Sequence, residues 1–317
     1  MQANHFKTRR VHTTAWFRRV FRGIRRRQRT DGRIALLLRP YLPIDMQQLR
    51  LWALFGGLLL TSQLAFGQMR GWEAGGWIGA ANYFGDLNTD WRLNRMQLAG
   101  GIGGRYNFND RLCLKIGANV GQISAYDADS KNVYEQRRNL HFRSLIADVT
   151  AQFEFNFMPY IHGHREFYYT PYLFAGPSFY YSNPQAELDG KWYNLRQYGT
   201  EGQFRGEEYS TAQASLAYGI GFKLDVSYRW SLNIELGARK LFSDYIDDVS
   251  GVYADVRDVR SQRGEIAAEF ADRSIEPKIG LPGRQRGNGK NNDSYALVNI
   301  GALYYFGSIR CPGMLRR

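Results

Sequence analysis

Three histidines lie beyond residue 68, and they are the first places where chemistry could occur: His141, and the pair His162 and His164 in "YIHGHRE". A His-x-His spacing could give a metal two imidazole ligands. The pair sits in a short turn, however, with only Glu166 as a further donor and no cysteine beside it, so a solvated turn is the simpler reading. His141 opens a strand-like segment at its long-loop end, where a surface hydrolase would place a general base, but no motif ties a serine or aspartate to it. The segment "GARKLFSDYIDDVSGVYADVRDV" crowds Asp244, Asp247, Asp248, Asp255 and Asp258 together. Their spacing does not match an EF-hand, and aspartate's turn hydrogen bonds account for them. "GGIGGRYNF" is glycine-rich, but no helix follows it as a phosphate loop requires. The expectation is no catalytic residue, no metal and no cofactor.

The elements carrying these residues share one pattern. In "TAQASLAYGIGFKLDVSYRW" every second residue from Ala212 to Val226 is apolar, while Lys223 and Asp225 lie on the other face. Residues 143–157 set Leu145, Ala147, Val149, Ala151, Phe153, Phe155 and Phe157 against Ser144, Asp148, Thr150, Gln152, Glu154 and Asn156. This is the two-residue period of a strand with one apolar and one polar wall. Eight such segments are expected, near 72–84, 95–108, 111–121, 143–157, 167–182, 211–226, 231–239 and 294–306. The connections at 107–111, 160–166 and 227–231 are short, and those at 85–94, 125–140, 183–210 and 243–293 are long and polar. Strict alternation of short and long loops has no basis in a soluble sandwich. It is the pattern of an outer-membrane barrel with short periplasmic turns and long extracellular loops. The fold expected is all-β, an eight-stranded antiparallel transmembrane β-barrel.

Closure removes unpaired sheet edges, which lipid cannot satisfy. Eight strands leave an interior just wide enough for side chains. Arg105, Lys115, Lys223 and Arg239 would then face Asp148, Glu154, Asp225 and Glu235 as a salt-bridged plug, with the inward glycines Gly101, Gly103, Gly117, Gly219 and Gly221 able to leave space. Tyr168, Tyr169 and Tyr172, then Phe179, Tyr180 and Tyr181, then Tyr304, Tyr305 and Phe306 are expected in interfacial aromatic girdles.

The formal charge of +13 suggests a nucleic-acid partner, but its distribution argues against one. Residues 1–45 carry 12 Lys and Arg against Asp31 and Asp45, so nearly all the excess lies in that leader. From Met46, "MQQLRLWALFGGLLLTSQLAFGQ" reads as a secretory signal peptide over 46–67: Arg50, an apolar run too short to span a bilayer, and a small-x-small site before Gln68. Translation from Met46 would make residues 1–45 an untranslated or unstructured leader and leave 68–317 as the barrel. Cys113 and Cys311 could form one disulfide in an exported chain or remain two free thiols.

Three stretches point further: "AANYFGDLN" (including Tyr83, Phe84, Gly85, Asp86 and Leu87), "FSDYIDDVSGVYAD" (including Asp244, Tyr245, Asp247, Asp248, Val249 and Ser250), and the ending "YYFGSIRCP" with Cys311 and Pro312. Together they resemble the PorG-like outer-membrane β-barrels of Bacteroidetes, also met as a domain of unknown function, from about Trp72 to Pro312. The resemblance implies a component of the type IX secretion system, associated with a periplasmic ring of a lipoprotein and its partner protein. It implies a scaffold or anchor rather than an enzyme.

For an anchor, the contact residues would lie on the periplasmic rim: Asn109, Asp110, Tyr160, His162, Arg165, Tyr228, Arg229, Trp230 and Arg310. Tyr, Trp and Arg dominate protein contacts, although Tyr228 and Trp230 also suit the lower girdle. A transport or ligand-binding barrel working through its long loops is the alternative. The loop 255–292, rich in Arg, Gly and Asn, is expected to be mobile.

Overall fold

The computed structural model describes residues 71–307. The leader, the signal-peptide segment, Arg310, Cys311 and Pro312 lie outside the described residues. Nine strands follow in order: β1 (Gly71–Phe84), β2 (Gln97–Asn107), β3 (Leu112–Tyr126), β4 (His141–Asn156), β5 (Tyr169–Leu188), β6 (Lys191–Asn194), β7 (Ala212–Asp225), β8 (Trp230–Leu241) and β9 (Ser294–Tyr305). Hydrogen bonding runs β4-β3-β2-β1-β9-β8-β7-β5, and β4 pairs with β5 to close the ring, so eight strands form the barrel. All these pairings are antiparallel. The ninth strand, β6, pairs with the far end of β5 in a hairpin beyond the barrel.

The outer wall is apolar and exposed along its middle. Ile78, Leu98, Ile102 and Val149 are 68%, 82%, 71% and 56% exposed, a belt that water would penalise and a bilayer would not. No helix among the described residues is long and apolar enough to cross a membrane; the exposed apolar belt is carried by the strands.

Period two corrects the expected girdles. Tyr172, Tyr180 and Tyr305 are buried in the interior, because each lies an odd number of residues from an outward-facing aromatic of its stretch, Tyr169, Phe179 and Phe306. Tyr168, Tyr169, Phe179, Tyr181 and Phe306 remain outside. The space expected at the inward glycines is also filled. A Cβ at Gly117 would stand 2.9 Å from the Trp77 ring, and one at Gly221 would stand 2.3 Å from Tyr172. The glycines are sockets for interior aromatic rings.

The long loops build a cap with its own core. Leu87, Leu140, Ile246, Val249 and Phe270 pack with Tyr83, Phe142 and Tyr295 from the upper strands. Three short helices belong to it: α1 (Val133–Arg138), α2 (Val256–Arg263) and α3 (Glu265–Ala271). Asn132 caps α1 by accepting from the Tyr134 N–H, and Asp255 caps α2 by accepting from Arg257 N–H. The segment 255–292 expected to be mobile is therefore folded, with Val259, Ala267, Phe270, Ile279 and Arg286 buried in it.

Candidate functional site: a filled lumen and its short-turn mouth

The four expected cations and four expected acids do meet in the interior, together with Glu73, whose face the sequence did not settle. Arg105 is the hub. Its Nη1 lies 2.9 Å from Glu73 Oε2, its Nε lies 2.8 Å from Glu154 Oε2, and its Nη2 donates to Asn233 Oδ1 at 2.9 Å. Lys223 pairs with Glu154 at 2.6 Å and donates to Asn156 at 2.9 Å. One layer up, Lys115 pairs with Glu235 at 2.7 Å, and Tyr172 Oη donates to the same carboxylate at 3.0 Å. Above that, Trp77 Nε1 donates to Asn119, and Asn119 and Tyr295 both donate to Asp148, which faces Arg239 at 3.8 Å. Polar side chains fill the lumen from layer to layer, each charge facing an opposite one. Such pairs hold only when fully partnered, since a lone buried charge is costly.

Cys113 points into this lumen as a buried free thiol, donating to Asn107 Oδ1 at 2.9 Å.

The short-turn mouth is closed by the turn between β4 and β5, and here the reading of a solvated turn fails for His162. Its ring is buried, lies 3.1 Å from Glu73 Oε1 and 3.0 Å from Asp225 Oδ1, and stacks on Tyr305 at 4.2 Å between centroids. Tyr160 is buried beside it and donates to Asp225, which also accepts from the Gly163 N–H at 3.1 Å. Burial opposes a charge on His162, but Asp225 and Glu73 outweigh it and raise its pKa to about 9. The histidine is therefore a cation wedged between two acids. The signal was available: Tyr160 and His162 continue the even-numbered inward parity of Ser144 to Asn156 beyond the end of β4. His164 stays half-buried in the turn. Among the described residues no group of three or more His, Cys, Asp or Glu side chains could hold a metal.

Burial removes Tyr160 and His162 from the exposed rim. Arg165, Tyr228, Arg229 and Trp230 are exposed, and Asn109 and Asp110 are half-exposed. Asn109 Oδ1 accepts from the Arg111 and Leu112 N–H groups and so shapes its turn. Trp230 packs edge-on against Tyr304 on the outer wall, centroids 5.2 Å apart, which is a girdle position.

At the other end His141 is a structural side chain. It stacks on Tyr126 at 5.3 Å and accepts from the Glu187 N–H at 3.1 Å. The two motif stretches, far apart in sequence, meet inside the cap. Tyr83 Oη lies 2.5 Å from Asp247 and 2.9 Å from Asp293, with one proton to donate between them; Asp86 accepts from Asn288 N–H at 2.8 Å; Asp248 accepts from Thr200 and Tyr209 at 2.6 and 2.7 Å. Tyr245 stacks on Tyr209 at 4.9 Å, and Leu87 and Val249 are in the core beneath. The Gly85 carbonyl accepts from the Asn88 N–H at 3.0 Å, and the Ser250 N–H donates to Glu201 Oε1 at 3.0 Å.

Residues 51–266, more than half of the chain, match the family model described as Domain of unknown function (DUF6089). The chain belongs to that family. The DUF6089 match ends inside α3, so β9 and the Arg286 and Asp293 contacts lie beyond it. No curated protein matches the chain. Among solved structures, Ail of Yersinia pestis, crystallised with the heparin analogue sucrose octasulfate, is 12% identical, with 75% of this chain and 100% of that one covered and a TM-score of 0.38. Neisserial surface protein A is 11% identical over 75% and 100%, TM-score 0.39. The N-terminal β-barrel domain of Pseudomonas aeruginosa OprF is 11% identical over 75% and 100%, TM-score 0.31. The barrel assignment for this DUF6089 member rests on its own strand pairing.

Proposed function

We propose that this protein is a non-enzymatic outer-membrane barrel that anchors protein-secretion machinery through its periplasmic rim. The observation that carries the reading is the filled lumen: with Arg105, Lys223 and Glu154 fully buried at its centre, the barrel offers its two ends, rather than a channel, for work. The short-turn end would face the periplasm after export through the signal peptide at 46–67. Its exposed Arg165, Tyr228 and Arg229 would meet a protein partner. Resemblance to the PorG-like barrels supports assigning that partner to the type IX system, as the ring lipoprotein and its companion.

The test is a mild-detergent pull-down of the tagged chain expressed from Met46. Recovery of periplasmic ring proteins in fixed proportion, lost on reversing Arg165 and Arg229 to Glu while the barrel still inserts, is expected. A barrel recovered alone would overturn the anchoring role. The folded cap favours a second reading, a surface-binding barrel. In that case deletions within 255–292 would abolish the phenotype and rim reversals would leave it intact.

A further inference from the structure

The loop between β1 and β2 carries an apolar tip that the cap does not cover. Trp91, Leu93 and Met96 line an apolar groove of about 410 Å³ together with Ile220, Leu236 and Ala238 on the outer wall of β7 and β8. That volume lies in the range of specific small-molecule sites, roughly 300–1,000 Å³. The overhang is built rather than loose. Trp91 is 74% exposed and adopts a left-handed backbone, φ 55°, while stacking on Phe84 at 4.8 Å. The next residue is pinned: the Arg92 carbonyl accepts from Asn82 and Asn88 side chains, both at 2.9 Å, and the Arg92 N–H donates to Asn88 Oδ1 at 2.9 Å. A strained backbone held by this many bonds to present an exposed tryptophan points to a use for it.

Two polar features sit at the groove. Lys240 is on the same outward face two residues beyond Ala238. It neighbours Ser294 in register, which neighbours Phe84, and both of these line the groove. Its ammonium donates to the Asn292 carbonyl and has further protons to offer. Asn82, 1% exposed, also lines the groove, and its Oδ1 has no hydrogen-bond partner. The groove thus has an apolar floor, a cation at its outer edge and a buried acceptor without a donor.

We propose that this groove holds one acyl chain of lipid A, with a lipid phosphate on Lys240 and an amide or hydroxyl at the head of the chain donating to Asn82 Oδ1. A glycerophospholipid, whose chains are ester-linked, offers no donor there. The inference rests on the outer-membrane placement proposed above, which puts the long-loop end in the outer leaflet.

The test is native mass spectrometry of the full chain extracted in mild detergent from fractionated membranes, comparing wild type, Trp91→Ala and Lys240→Gln, with Ile116→Ala on the far wall as control. Heat-modifiable migration verifies that each variant folds. Wild type and control should carry a lipid A adduct, reduced about tenfold or more in the two groove variants, the scale of losing an aromatic anchor or a paired charge. An outer-membrane barrel with no adduct, with a glycerophospholipid instead, or with an adduct indifferent to both substitutions would overturn the groove assignment alone. Sedimentation with the inner membrane would overturn the placement, and the lipid A assignment with it.

Discussion

The lumen and the cap both bury charge, but in different proportions. In the lumen Glu73, Glu154, Glu235 and Asp148 each lie within 4.0 Å of a cation. In the cap Asp86, Asp244, Asp247, Asp248 and Asp293 are buried together, while the two buried arginines form their ion pairs elsewhere, Arg138 with Asp127 and Arg286 with Glu201. The cap aspartates are left to hydroxyls, backbone N–H groups and one another. Burial, reinforced for Asp86 and Asp244 by neighbouring acids, raises Asp244 to about 7 and Asp86 and Asp248 to about 6. Burial and neighbouring aspartates raise Asp247 and Asp293 well above the usual carboxylate range. One barrel therefore sets opposite charges against each other in its middle and gathers acids with raised pKa values at its outer end.

The hardest way to break this contrast is to take the hub out of the lumen. Arg105→Met removes the cation shared by the buried Glu73 and Glu154, leaving them only His162 and Lys223, with a cost of about 3–5 kcal/mol. Loss of the heat-modifiable folded band, or a correspondingly lowered urea midpoint in detergent, is expected. Replacing Arg105, Glu73 and Glu154 together with apolar residues of similar volume should recover most of that loss. A single variant as stable as wild type would mean the network is ornamental.

His162→Ala should cost less, about 2–3 kcal/mol, because Asp225 keeps Tyr160 and the Gly163 N–H as donors. The same residue sets a pH limit. Its folded pKa of about 9 exceeds the ordinary value of about 6.5, so its stabilisation is complete below pH 6.5 and disappears as pH rises through 9. Unfolding midpoints measured from pH 8 to pH 10, above the range in which the cap carboxyls titrate, should fall more steeply for wild type than for the variant. Parallel curves would remove the histidine from the latch.

The cap should respond to pH earlier. Carboxyls with raised pKa values stabilise the folded state below their unfolded value, near 3.9, and lose that contribution as pH climbs through 6 to 7. The groups facing them are Glu201, Arg138, Arg286, Lys240, Tyr83, Thr200 and Tyr209. Amide exchange in 244–250 and 286–293, corrected for its intrinsic pH dependence, should speed about tenfold between pH 6 and pH 8, equivalent to about 1.4 kcal/mol, while lumen strands stay protected. Equal acceleration in both regions would erase the distinction.

How much of this the sequence shows follows the same divide. The barrel was legible because a strand's period is two and each inward residue is fixed by its neighbours: Lys115, Glu154, Lys223 and Glu235 could be placed from parity alone. Parity was not carried far enough for Tyr172, Tyr180 and Tyr305, which share stretches with girdle aromatics, or for Tyr160 and His162, which obey it past the end of their strand. The cap has no such period. Arg286 is held by the Asp248 carbonyl and Glu201, and Arg138 reaches the carbonyls of Asp86 and Arg286. These two arginines and their partners come from four different loops, so a composition rich in Arg, Gly and Asn looked mobile. The motif stretches at 83–87 and 244–250 marked the cap, but the Tyr83 to Asp247 bond joining them is a product of closure.

The smallest expected effect tests whether the cap is one cooperative unit or several. Asp255 accepts from the Arg257 N–H at the start of α2, and removing such a cap weakens the first turn of the helix. Its salt bridge with Arg257, whose side chain is 86% exposed, adds little. Asp255→Ala should therefore speed exchange over 256–263 by roughly fivefold, the scale of losing an N-cap. If α2 opens alone, Tyr83, Asp247 and Asp293 will keep wild-type protection, because the α2 and α3 cluster of Val259, Ala267 and Ala271 is distinct from the core that holds them. If exchange rises equally around Asp247, the buried acids and the helices are coupled, and a change at the outer edge of the cap reaches the carboxyl groups above the lumen.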